Sequence, residues 1–141
     1  VLAPGISFTF TYAVPPSKTV PCLYPESDMF QQMPKVLATG FMVGLLEWAC
    51  IESIKDHMDW PKVQSVGTGV YFTHQAATPP GLTVTVSTEL VEVVGRRLLF
   101  KVSAHDGVDV ISQGTHERYL IDPVRFNEKL KQKQERAADA D

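Results

Sequence analysis

Glu47 is the only carboxylate in the run Phe41-Met-Val-Gly-Leu-Leu-Glu-Trp-Ala-Cys50. Burying an unpaired carboxylate costs several kcal/mol or forces it to take up a proton. Two readings follow. The side chain reaches a helix edge or pairs with a structural cation, or it lines a cleft. In the cleft, partial loss of water makes it a stronger base or nucleophile toward an acyl carbon. His74 is the natural companion, because imidazole titrates near neutral pH and can pass a proton to a leaving group. Taken alone, a histidine on an apolar strand face reads as a satisfied core residue.

Thr39 lies eight residues before Glu47. On one straight helix that is about 12 Å along the axis, too far for contact. On spacing alone Thr39 reads as an N-cap or a back-bonded hydroxyl. It can meet Glu47 only from outside the regular helix, or if two chains share a site. Gly67 and Gly69 interrupt a β-prone stretch. They read as a bulge that curves the sheet, or as an exposed N–H that stabilises an oxyanion. Arg118 reads as a surface ion-pair former or as a contact for an acyl or phosphate group. His57, His105 and His116 have no metal-ligand spacing, so no metal is expected. No phosphate loop, nucleophile elbow or dinucleotide fingerprint is present.

These side chains need elements to hold them. Ile6 to Val14 alternates apolar and polar residues and predicts a strand. Residues 17–35 carry Pro21, Pro25 and Pro34 with no clean period, which predicts a long surface loop of the kind that forms lids. A buried helix is expected over Val36 to Met58, apolar on nearly every side, with Gly40 and Gly44 allowing close packing. Four further antiparallel strands are expected. One runs over 66–76, with Val66, Thr68, Val70, Phe72 and His74 on one face. The others run over 82–90 and 98–104, and from Val108 to Ile121. Turns fall at Thr78-Pro-Pro-Gly81, Gly95-Arg-Arg97 and Asp106-Gly107. Asp122-Pro123 reads as an N-cap with Pro at the first helical position, opening a short amphipathic helix to about Gln134. The element order fits an α+β hotdog arrangement, a curved antiparallel sheet wrapped around one long central helix. A cystatin-like or cone-shaped fold would give a similar string.

The chain has 141 residues, 44% hydrophobic and 21% charged, which suits one domain of ordinary globular composition. We expect that domain over residues 1–136 and a frayed tail over 137–141. With 13 basic and 16 acidic residues the net charge is −3, so nothing draws the chain to nucleic acid or to an anionic membrane. The apolar run is too short to span a bilayer. No signal peptide is visible. Cys22 and Cys50 are too few for a disulfide scaffold, and buried free thiols favour a reducing compartment, hence a cytoplasmic location.

Longer stretches carry a family signature. Pro15 to Thr19, Leu23 to Ser27, Ala38 to Cys50, Thr73 to Val86, Val102 to Asp109 and Gly114 to Arg118 resemble, in register, the fluoroacetyl-CoA thioesterase family of the hotdog superfamily. The resemblance implies a hotdog homodimer with its sites at the subunit interface. It implies hydrolysis of an acyl-CoA thioester, with CoA as part of the substrate and no separate cofactor. The family's catalytic Thr, Glu and His fall on Thr39, Glu47 and His74. Its carbonyl-contacting glycine falls on Gly67, and its arginine near the acyl group on Arg118. Met33 stands where the family has a lid phenylalanine, which leaves the acyl group open. An acyl-CoA sensor without turnover, or a hotdog dehydratase acting on a 3-hydroxyacyl-CoA, would keep the same fold. Lys18, Lys35, Arg96 and Arg97 are candidates, on charge alone, for holding the CoA phosphates.

Overall fold

The computed structural model describes residues 1–140. Five strands, β1 (Ser7–Ala13), β2 (Gln64–Phe72), β3 (Thr83–Val94), β4 (Arg97–His105) and β5 (Val110–Ile121), form one antiparallel sheet in the order β1-β3-β4-β5-β2. Two single-turn helices, α1 (Val20–Leu23) and α2 (Asp28–Gln31), lie in the proline-rich segment. The long helix α3 (Thr39–Ile54) packs against the inner face of the sheet, and α4 (Pro123–Asp139) follows β5.

Alternation does what the sequence implies in β3 and β4. Val84, Val86, Leu90, Leu98, Phe100 and Val102 point inward and are at most 2% exposed, while Ser87, Glu89, Lys101 and Ser103 point out. Against them α3 sets Met42, Leu45, Leu46, Ala49, Cys50 and Ile54, making one apolar core. The Asp106-Gly107 turn forms as expected, with Gly107 at φ +89°, a region that favours glycine.

Three expectations need correction. First, of the four later strands only β3, β4 and β5 pair in sequence, and β2 does not pair with β3. The ten residues after β2, with Pro79-Pro80 among them, are too long and stiff for a tight hairpin. They cross instead from the β2 edge to β3, and β2 pairs with β5. Second, α3 is not enclosed on all sides: Gly40, Gly44 and Trp48 are exposed. A Cβ on Gly40 would press into the Leu23 side chain, which accounts for that glycine, but Gly44 has nothing within 4 Å. Third, α4 runs past Gln134 to Asp139, so most of the expected tail is helical; Asp141 lies outside the described residues. Its N-cap is as read, with Asp122 accepting the Val124 N–H. No α4 residue is fully buried, and Phe126 is its half-buried anchor.

Where β5 passes between β2 and β4 the backbones are tight. A Cβ on Gly114 would run into the Tyr71 carbonyl. We therefore expect Gly114→Ala to lower the unfolding free energy by about 1–3 kcal/mol, the usual cost of overpacking, as read by urea denaturation.

Candidate active site

The β2 edge carries a bulge between Gly67 and Gly69, opposite Arg118 and Glu117 of β5. The extra residue, Thr68, turns its hydroxyl to Glu117. A bulge inverts the parity of a strand. Ser65 and Gly67 therefore share the inner face with Val70 and Phe72, against the expectation that Val66 and Thr68 would. Gly67 thus lies directly under α3, where a Cβ would sit 2.7 Å from Glu47 Oε2 and 3.5 Å from Arg118 Nη1.

Glu47 is one-third exposed, at 35%, and the Arg118 guanidinium donates to its Oε2 at 2.8 Å. Arg118 is buried, not a surface ion-pair former. Its Nε donates to Ser65 Oγ and its Nη2 to the Ser65 carbonyl, so the fork is fixed by β2 before it reaches Glu47. Within the chain the arginine holds the carboxylate. Glu47 Oε1 has no protein hydrogen bond among the described residues.

His116 is the residue that the sequence reading missed. It is fully buried, with Nδ1 2.7 Å from the Gly69 carbonyl and Nε2 3.0 Å from Arg118 Nη1. A carbonyl only accepts and a guanidinium only donates, so the proton is on Nδ1 and Nε2 is an acceptor. Burial lowers its pKa first of all, and the Arg118 charge adds to that, so the ring is neutral and survives 3.8 Å from Glu47 Oε2 without forming an ion pair. It ties the bulge to the arginine. A signal did exist: His116 and Arg118 are two apart on a strand and must share a face.

Thr39 and His74 form a second group. Thr39 is the first residue of α3, not its cap; Ala38 is the cap and makes no side-chain bond. The Thr39 hydroxyl lies 2.7 Å from His74 Nδ1. His74 follows β2, but Thr73 and Gln75 still donate to Gln113 and Ile111 of β5, so the ladder carries it in line. The Leu37 N–H bonds the Thr78 carbonyl, and the Thr78 hydroxyl bonds the buried Asp106 carboxylate. That tether brings the start of α3 to the segment after β2. Desolvation opposes the charge on Asp106, yet hydrogen bonds from Asp109, Val108 and Thr78 bring its pKa below the usual value. Burial also lowers the His74 pKa, and its Nε2 is buried with no protein partner.

One chain therefore holds two separate groups of polar side chains, about 12 Å of helix apart. Met33 is half-exposed just beyond α2. Burial pushes the Cys50 thiol up to about 12, which removes it as a nucleophile. Among the described residues no group of three or more His, Cys, Asp or Glu could hold a metal. We expect Gly67→Ala to cost little stability, since only a side-chain tip must move. The added methyl would shift the Glu47 carboxylate from its place beside Arg118 Nη1.

Residues 22–124 match the family model described as FlK: Fluoroacetyl-CoA-specific thioesterase. The chain is 57% identical over 129 residues, 92% of each chain, to the fluoroacetyl-CoA thioesterase of Streptantibioticus cattleyicolor. It superposes with a TM-score of 0.90 and 55% identity on a mutant of FlK solved in complex with acetyl-CoA, covering 94% of this chain and 98% of that one. A hot-dog-like protein from Thermanaerovibrio acidaminovorans, at 17% identity, superposes with a TM-score of 0.77 over 94% of this chain and 93% of its own, which establishes the hotdog fold.

Proposed function

The chain belongs to the fluoroacetyl-CoA-specific thioesterase family of thioester hydrolases, and on that premise we propose that it cleaves a short acyl-CoA to the carboxylate and free CoA. The observation that carries the reading is the Thr39–His74 pair: an imidazole fixed through Nδ1, with its buried Nε2 free of any partner among the described residues. If Nδ1–H donates to the Thr39 oxygen, Nε2 presents a lone pair to a reactant.

In the proposed reaction the thioester carbonyl lies against the Gly67 N–H. The free oxygen of Glu47 attacks the carbonyl carbon, forming a mixed anhydride and releasing the CoA thiolate. His74 Nε2 takes a proton from water, and the resulting hydroxide opens the anhydride to the product acid and the Glu47 carboxylate; the acid then ionises, giving its proton to solvent. The imidazolium returns that proton to the thiolate. The steps use side chains and water alone, and no cofactor is proposed beyond the CoA of the substrate. Met33 is the proposed lid residue over the acyl group, a flexible side chain in place of an aromatic one.

This chemistry needs two chains, so a homodimer is part of the proposal: Thr39 and His74 come from one subunit and Glu47, Gly67 and Arg118 from the other. Two features support it. β2 is an edge strand whose Val70 and Tyr71 are 44% and 67% exposed. On α3, Gly44 gives up about 1 kcal/mol of helix propensity for no contact within the chain, as a surface awaiting a close neighbour would. A cytoplasmic setting is proposed from two free thiols, Cys22 and Cys50. Among the described residues no helix is long and apolar enough to cross a membrane.

The test is thiol release from fluoroacetyl-, acetyl- and longer acyl-CoA, compared by kcat/KM. Tight binding without release would favour a sensor, and water loss from a 3-hydroxyacyl-CoA would favour a dehydratase. The same assay reads His74. The ring must be neutral to accept a proton, and burial holds its pKa below the ordinary 6.5. Activity should therefore persist as pH falls through that value, with the acidic limb of kcat/KM below it. A limb well above it would exclude His74 as the base.

A further inference from the structure

Among the described residues, three buried side-chain polar atoms have no hydrogen-bond partner: His74 Nε2, Ser112 Oγ and Thr88 Oγ1. The first two are neighbours. The register of β2 on β5 runs to Phe72 opposite Gly114, and beyond it the Thr73 and Gln75 N–H groups donate to the Gln113 and Ile111 carbonyls at 3.0 and 2.7 Å. His74 therefore stands opposite Ser112, between two hydrogen-bonded positions. In such a non-hydrogen-bonded pair the α-carbons are about 4.5 Å apart and the side chains lie close. Resting on the acyl-CoA hydrolase reading above, we propose that Ser112 holds the attacking water together with His74, its hydroxyl and Nε2 binding the same molecule.

Placement supports this first. Ser112 pairs with the buried Ala104 of β4 and alternates with Gly114 and His116, so it stands on the inner face of the sheet. Phe72 packs against the core, and His74, two residues on, shares that face. Ser112 is 0% exposed. A buried hydroxyl without a partner is unfavourable, and Ala104 fills the same row of the sheet without one. Chemistry supports it second. With Nδ1–H donating to the Thr39 oxygen, Nε2 can only accept. Whatever binds there must donate a proton, which a thioester carbonyl or a thiolate cannot do. Water donates to Nε2, accepts the Ser112 O–H, and keeps a lone pair for the carbon under attack. Two buried polar groups on one face, with no hydrogen bond between them, are the setting in which an ordered water is found. When Nε2 takes a proton from this water, Ser112 keeps its own. Its O–H stays on the oxygen that becomes hydroxide, and that hydrogen bond strengthens as negative charge develops. Thr88 supplies the contrast. It pairs with Val102 of β4, which in turn pairs with Gly114, so it lies two strands from β5, about 10 Å away.

The test uses the full chain and has a structural and a kinetic arm. A crystal structure of the wild type should show one ordered water within hydrogen-bond distance of both His74 Nε2 and Ser112 Oγ, and Ser112→Ala should lose it. In steady-state thiol release from acetyl-CoA, Ser112→Ala should lower kcat by about tenfold, the worth of one hydrogen bond to a developing charge, with KM no higher than in the wild type and a cooperative unfolding transition retained. Thr88→Val deletes a buried, unpartnered hydroxyl elsewhere on the same sheet and should leave kcat as in the wild type. Wild-type kcat in Ser112→Ala, an equal loss in Thr88→Val, a loss expressed as a raised KM, or no water shared by the two atoms would overturn the proposal. A wild type that holds this water but releases thiol from no acyl-CoA keeps the water seat and overturns the hydrolase reading instead.

Discussion

Glu47→Gln is expected to lower kcat for acetyl-CoA hydrolysis by about 10³-fold or more while the protein stays folded. The amide keeps the shape of the carboxylate and can still accept from Arg118 Nη1, but its oxygen cannot form an acyl bond. The stability cost is the weakened pairing of a buried guanidinium, about 1–3 kcal/mol, and Ser65 and His116 still hold that guanidinium. Loss of turnover with a cooperative unfolding transition would therefore separate chemistry from collapse. A single turnover of the wild type in ¹⁸O-labelled water sharpens the result. Label recovered in the Glu47 carboxylate means that it attacked the acyl carbon, and label in the product alone means that water attacked that carbon. Residual activity within about tenfold of the wild type in Glu47→Gln would reduce the glutamate to an anchor for Arg118.

The parts legible in the chain are those decided locally. β1, β3 and β4 show their pleat through alternation, the Asp106-Gly107 turn through its glycine, and the start of α4 through Asp122-Pro123. What stayed hidden depends on partners distant in sequence. The bulge at Thr68 exists because β2 pairs with β5 some fifty residues on, and only that pairing turns Gly67 toward Glu47. The partner of the Thr39 hydroxyl is likewise set by the tether from Leu37 through Thr78 to Asp106, which no local window contains. Glu47 stood out from composition alone, because a carboxylate in an apolar helix needs a partner. That the partner is Arg118, steadied by His116, is a matter of strand parity once β5 is in register. The proposed catalytic roles rest on resemblance over long stretches, and the geometry adds that one chain holds those residues in two separate groups.

That separation makes a sharper prediction than any single substitution. His74→Ala and Glu47→Ala should each be inactive as pure proteins. Mixed under conditions that let subunits exchange, half of the dimers become hybrids by random pairing. Each hybrid then has one site with both residues lost and one site with both intact, because a two-fold interface presents the same surfaces twice. Activity should return to about one quarter of the wild-type value. If His74 and Glu47 of the same chain served one site, every site in the hybrid would lack one residue, and mixing would restore nothing. Thr39→Ala should complement Glu47→Ala in the same way and fail to complement His74→Ala, since the 2.7 Å hydrogen bond makes Thr39 and His74 one functional unit. Complementation between Thr39→Ala and His74→Ala would break that unit apart.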